Sequence, residues 1–169
     1  MTVRQRTASP DDAERVVALF HGCFRDTFGH LYKPQDLAAF LDGHRPEHWR
    51  DQLDSDGFAV RLVEEGDQLA GFIKLGPLRL PVEPAGQALE LRQLYVLEPW
   101  HGSGVARDLM EWLLAEARQR GADELYLSVF TENHRARRFY ARYGFEEVGP
   151  YAFMVGNQAD EDVIMRLAL

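Results

Sequence analysis

The chain has 169 residues, 46% of them hydrophobic and 27% charged, with a formal net charge of −8 and a single cysteine, Cys23. These values set the expectation of one domain over residues 1–169 with enough apolar material for a core, and they exclude disordered, collagen-like and disulfide-stapled classes. The acidic balance excludes a general nucleic-acid surface, which needs Lys and Arg against phosphates, and suits a cationic small molecule or a basic peptide.

The alternating run TVRQRTA predicts an opening strand, and MTVRQRTASPDDAERVV offers no apolar stretch for a signal peptide or membrane span. With one thiol, that points to a reducing cytoplasm. A helix is expected next: Ser9 caps it, Pro10 occupies its first position, and acids fill its first turn. Val16, Leu19, Phe20, Cys23, Phe24 and Phe28 form its apolar stripe, which makes Cys23 a structural thiol. Two short helices follow at 34–41 and 46–53, each with a proline near its start. FAVRLVEEGDQLAGFIKLG reads as a hairpin around Gly66–Asp67, and LPVEPAGQ as a loop.

ALELRQLYVLE is a further strand, ended by Glu98–Pro99. Strict alternation puts Glu90, Arg92 and Leu94 on one face and Leu91, Gln93 and Tyr95 on the other, unless a bulge breaks the parity. Residues 103–120 form a helix, with Val105, Leu109, Trp112, Leu113 and Glu116 on one side and Gly121 as its stop. ELYLSVF is a strand, Asn133 caps a helix to about Tyr143, and Gly144 ends it. FEEVGPYAFMVG and DVIMRLAL close the chain as two strands around an acidic turn at Asp160, Glu161 and Asp162. The fold class is therefore α/β, a mixed sheet of about seven strands with flanking helices.

The segment HGSGVA sits between a strand and a helix. A phosphate-gripping P-loop needs Gly-Lys-Ser/Thr there, and this helix starts Val-Ala-Arg. A dinucleotide fingerprint needs a third glycine where the chain has Arg107. The remaining chemistry is the same physics with another ligand: free N–H groups of residues 102–107 at a helix N-terminus can hold a pyrophosphate, and Gly102, Gly104 and Ala106 leave room for it.

LYVLEPWHGSGVARDLM resembles the acyl-CoA-binding motif of the GNAT N-acetyltransferase superfamily, Arg/Gln-x-x-Gly-x-Gly/Ala, with Gly104 and Ala106 at its last two fixed positions. His101 stands where that family has Arg or Gln. NHRARRFYARYGF resembles the family's second motif at every fixed position: Asn133, Ala136, Phe139, Tyr140, Gly144 and Phe145. The likeness spans about residues 58–156. It implies a GNAT-like acyl-CoA N-acyltransferase fold and direct acetyl transfer from acetyl-CoA to an amine, with no covalent Cys or Ser intermediate.

The resemblance assigns donor contacts to Leu94, Tyr95 and Val96 along the strand, to His101, Gly102, Ser103, Gly104, Val105, Ala106 and Arg107 in the loop, and to Asn133. It makes Tyr140 the acid that protonates the departing sulfur, and Glu90 the base for an ammonium whose pKa is about 10.4. Arg135, Arg137, Arg138 and Arg142 are candidates for the 3′-phosphate of CoA, against the reading of a solvated helix face. No metal is expected: His44 and His48 flank Pro46 without a metal-site Glu, and DSDG lacks the glutamate that closes a calcium loop. DTFGHLY, ELRQLYVL and YAFMVG…D…IM are similar to the bacterial polyamine acetyltransferase branch, which implies a small cationic acceptor. A peptide N-terminus, an amino acid, an aminoglycoside, or a catalytically silent CoA-binding module are the alternatives. The expected partners are thus a small-molecule amine, without nucleic acid or membrane, and a second copy of the chain, since dimers are frequent in that family.

Overall fold

The computed structural model describes residues 2–169. Its elements run β1 (Arg4–Thr7), α1 (Ala13–Phe28), α2 (Pro34–Asp42), α3 (Pro46–Leu53), β2 (Ala59–Glu65), β3 (Gln68–Pro77), β4 (Ala88–Val96), α4 (Val105–Gln119), β5 (Glu124–Phe130), α5 (His134–Arg142), β6 (Glu146–Val155) and β7 (Gln158–Ala168). The strands form one seven-stranded sheet in the order β1-β2-β3-β4-β5-β7-β6. Among the described residues no helix is long and apolar enough to cross a membrane.

The prolines and glycines act where their backbone preferences place them. Ser9 and Pro10 open a short 3-10 turn, with the Asp12 carboxylate accepting the Ser9 N–H at 2.8 Å, before α1 begins at Ala13. Pro34 and Pro46 start α2 and α3, positions where a missing N–H costs nothing. The helix expected from residue 103 begins at Val105, because Gly102 and Gly104 take left-handed φ values of +75° and +91°.

Two cores sandwich the sheet. On one face α4 buries Val105, Leu109, Met110, Leu113, Leu114 and Ala117 against Ile73, Leu75, Leu91, Leu125, Leu127 and Val163. Trp112 and Glu116, expected on that stripe, lie at its edge, where Met110 and Leu114 take the inner places. On the other face α1 buries Val16, Phe20 and Phe24 beside Trp49 of α3, against Leu62 and Phe72.

Two sequence expectations change. Asp160, Glu161 and Asp162 do not form the final turn: β7 starts at Gln158, the turn is Gly156–Asn157, and all three acids lie in the strand. The turn sits there because the buried Asp36 carboxylate of α2 accepts the Asn157 N–H at 3.0 Å. The parity of β4 does break, by a bulge: Lys74 pairs with Gln93 and Leu75 with Leu91, so Arg92 is the extra residue. Leu91 and Leu94 consequently share the α4 face, while Tyr95 joins the α1 face, against Phe20 and Phe72. Glu90 and Leu94 are therefore on opposite faces.

The only parallel pair among the described residues, β4 with β5, is joined through residues 88–90 and 124–126 and then separates. Residues 91–96 of β4 have no strand beside them on that side. The sheet is split, and the split opens at the N-terminus of α4.

Candidate active site

The split leads into a cavity of ≈ 1590 Å³ that runs from the α4 loop, past α5, to the face covered by α1, α2 and α3. Leu94, Tyr95, Val96, His101, Gly102, Gly104, Ala106, Arg107, Asn133, Tyr140 and Glu90 all line it. Ser103 and Val105 do not. The Ser103 hydroxyl turns back onto the Trp100 carbonyl, and the Val105 side chain is core, so both contribute through backbone alone.

At the donor end, the first backbone bond of α4 runs from Asp108 N to Gly104 O at 3.0 Å. The N–H groups of residues 104–107 have no carbonyl partner and point out of the helix start, an anion cradle reinforced by the helix dipole. This fits the pyrophosphate of acetyl-CoA. The unpaired edge of β4 fits its amide-bearing arm. Asn133 caps α5 by accepting the Ala136 N–H at 3.3 Å.

His101, the departure from the family motif, has a role of its own. Arg135 can only donate, so its 3.1 Å contact makes Nδ1 of His101 the acceptor; Nε2–H then donates to the Val96 carbonyl at 2.7 Å. Together they bridge β4 to α5 across the mouth of the split. Arg137 is tied to Glu147 and to the Thr131 carbonyl. Arg138 and Arg142 line the cavity with no ion pair among the described residues, and Arg107 lines it paired with its neighbour Asp108.

Tyr140 packs against Phe139 and Phe145, yet its hydroxyl has no hydrogen-bond partner among the described residues. Burial pushes this phenol up to about 12, so it holds its proton at neutral pH. Tyr143, expected as core, is half-buried: it packs on Phe139 and also lines the cavity. Cys23 is buried and its thiol is pushed up to about 11, which keeps it unreactive.

Glu90 is 8% exposed, not a solvated strand charge. One carboxylate oxygen accepts from Arg79 N at 2.9 Å and Leu80 N at 3.2 Å, and the other lies 3.5 Å from Arg92 Nε. Glu90 thus pins the 77–80 turn onto β4.

Sequence reasoning missed Asp162. This residue is 7% exposed and lines the cavity; it faces Phe130 on β5 and Tyr151 on β6. Burial, and then the charge of Asp160, push its carboxyl up to about 7. Asp160 itself accepts from the Tyr32 hydroxyl and, at 3.3 Å, from Gln158. Tyr95, Tyr140, Tyr32 and Asp162 all line this cavity. Gln93, at the bulge, has a buried side-chain oxygen with no partner among the described residues. No local pattern marks Asp162 or Gln93; only the strand pairing does.

The comparisons agree with this architecture. A family model described as the acetyltransferase (GNAT) family matches residues 15–145. An N-acetyltransferase from the pepI 3′ region of Lactobacillus delbrueckii subsp. lactis is 26% identical over 165 residues, covering 95% of this chain and 94% of the relative. The aminoalkylphosphonate N-acetyltransferase of Salmonella typhimurium is 28% identical over 142 residues, 84% of each chain. The structure of PaiA N-acetyltransferase from Thermoplasma acidophilum in complex with coenzyme A superposes with a TM-score of 0.80 over 100% of both chains, at 17% identity. With the split sheet and the α4 cradle already in place, the match over residues 15–145 means that this chain belongs to the GNAT family and is an acetyl-CoA-dependent N-acetyltransferase.

Proposed function

We propose that the acceptor is a small cationic primary amine, that Asp162 takes the proton of its ammonium group, and that Tyr140 gives a proton to the departing sulfur. One observation carries this reading: a buried carboxylate, Asp162, and a phenol with no hydrogen-bond partner among the described residues, Tyr140, line the same cavity. Bound with its pyrophosphate on the α4 cradle, acetyl-CoA supplies the thioester and the leaving thiolate. The chain's own work is proton movement and placement. The Asp162 carboxylate frees the nitrogen lone pair, and Tyr140 Oη holds the proton that the sulfur needs. Gln93 Oε1 is an open acceptor for an N–H of either substrate.

Glu90 is the other buried carboxylate on the cavity wall. Its oxygens are engaged by two backbone amides and Arg92, which supports a positioning role for it and leaves Asp162 as the better base. The Asp160–Asp162 pair suits the ammonium end of such an acceptor, a polyamine being one member of the class.

Release of CoA thiol from acetyl-CoA across a panel of amines tests the proposal. Tyr140→Phe removes one hydroxyl and should leave folding and CoA affinity intact while turnover falls about 100-fold. A Tyr140→Phe enzyme with near-normal turnover on the preferred acceptor returns Tyr140 to a packing role.

A further inference from the structure

On the α1 face of the sheet, three strands from Asp162, the same cavity changes character. Lys74 is 4% exposed, and its ammonium sits 3.9 Å from the centre of the Trp49 ring, against the Gln52 side-chain oxygen. It has no ion pair among the described residues. Burying a charge without a counter-charge is costly, and proteins seldom do it without use for it. Its neighbours deepen the imbalance. Arg92 lies at the bulge with its guanidinium on the Pro77 carbonyl at 3.0 Å, and Arg79 stands at the cavity rim, its guanidinium unpaired among the described residues. Glu90 is the single carboxylate among the charges that act on Lys74, and it is shared with Arg92 and the 79–80 amides.

We propose that Lys74, Arg79 and Arg92 form an anion subsite in the acceptor cavity, so that the acceptor is an amine that also carries a carboxylate or comparable acidic group. This deepens the proposed function and rests on its reading of the cavity as the acceptor site. The chain's overall acidity does not extend to this wall. The aromatic and acidic end around Tyr32, Asp160 and Asp162 receives the ammonium, and the basic end receives the acid. Three strand spacings put the Lys74 and Asp162 backbones roughly 14 Å or more apart, a span that the two side chains and an ω-amino acid of several carbons fill together. Burial and the two arginines lower the Lys74 ammonium to about 7; an arriving anion supplies the missing counter-charge and draws a proton onto it.

The test is calorimetry on the CoA-saturated protein, in which the donor's own phosphate contacts are filled. The probes are ω-amino acids from 3-aminopropionate to 6-aminohexanoate, the matched ω-amino amides, and spermidine. At least one amino acid should bind about tenfold or more tighter than its amide, as a charge-assisted hydrogen bond gives. Lys74→Met, or Arg79→Gln at the exposed rim, should shrink that acid-to-amide ratio about tenfold. At pH 8, amino-acid binding to wild type should take up protons, seen as an enthalpy that varies with the buffer's ionisation heat, and the Lys74→Met variant should lose this. Amides or spermidine binding as tightly as every amino acid, or an unchanged ratio in Lys74→Met, overturns the subsite. If acetyl transfer from acetyl-CoA to those amides persists, the subsite alone has failed; if the protein supplied with acetyl-CoA acetylates no amine, the reading beneath it has failed too.

Discussion

Two carboxylates on the cavity wall, Glu90 and Asp162, show how surroundings decide what one functional group can do. Glu90 has one oxygen filled by two amides and the other facing Arg92, while burial, and then the charge of Asp160, push Asp162 up to about 7. Asp162 must be ionised to act, so acetylation should decline as pH drops below about 7. Asp162→Asn should lose about 100-fold in kcat/KM at neutral pH and erase that limb; near pH 10 the ammonium loses its proton unaided and the deficit should narrow. Glu90→Gln should keep the limb, with any loss spread evenly over pH. Profiles of the three enzymes decide it, and an intact limb in Asp162→Asn excludes Asp162 as the base. Glu90 was legible because it adjoins a recognisable motif. Asp162 was not, since three consecutive acids next to a glycine read locally as a turn, and only the docking of Asn157 on Asp36 draws them into β7.

The α4 loop separates local backbone strain from loss of a ligand cradle. At Gly104 an added Cβ would meet only the far end of the Arg107 side chain, at 3.1 Å, which can swing aside. The cost lies in the φ of +91°, about 1–2 kcal/mol for a residue with a Cβ and more for a branched one. Gly104→Val should therefore fold with a modestly lower melting temperature and lose CoA affinity by far more than that strain explains, because the cradle of N–H groups is re-aimed. Calorimetry with CoA beside thermal melting checks this; affinity that falls no further than stability sinks the cradle. Helix and strand identities in this region were readable from periodicity, caps and glycines. The bulge was foreseeable as a kind of irregularity, but its place at Arg92 is set by the pairing with β3, which no local pattern encodes.

Across the whole molecule, charge is unevenly shared. Arg6 joins Asp12 and Glu64, and the hydrogen bonds from Arg6 help hold Glu64 down at about 2. A depressed carboxylate contributes its stability fully above its unfolded value near 4.5 and loses it as pH falls toward 2. Between about pH 4 and 7, His44, lowered to about 4 by burial, loses stability on acidification; Asp162, raised to about 7, loses it on alkalinisation, so the two oppose each other. The clear window is thus below 4.5. Urea unfolding should show stability dropping steeply from pH 4.5 to 3, and Glu64→Gln should be weaker at pH 7 with a shallower acid slope. An unaltered slope refutes the assignment. Net charge was readable from composition and supported a polycation; its distribution, with acids at β7 and cations at β3, needed the fold.

The bridge from Val96 through His101 to Arg135 has a kinetic meaning. It spans the mouth of the split, where, on the proposed function, the donor's arm would enter and the spent carrier would leave. Both residues are exposed, so undoing the bridge costs about 1 kcal/mol, a latch more than a lock. Well-matched acceptors differ in how fast they attack, yet every cycle ends with the same carrier passing the same latch. Their turnover numbers then converge on a shared ceiling, set at the rim by a histidine and an arginine remote from the bond being broken.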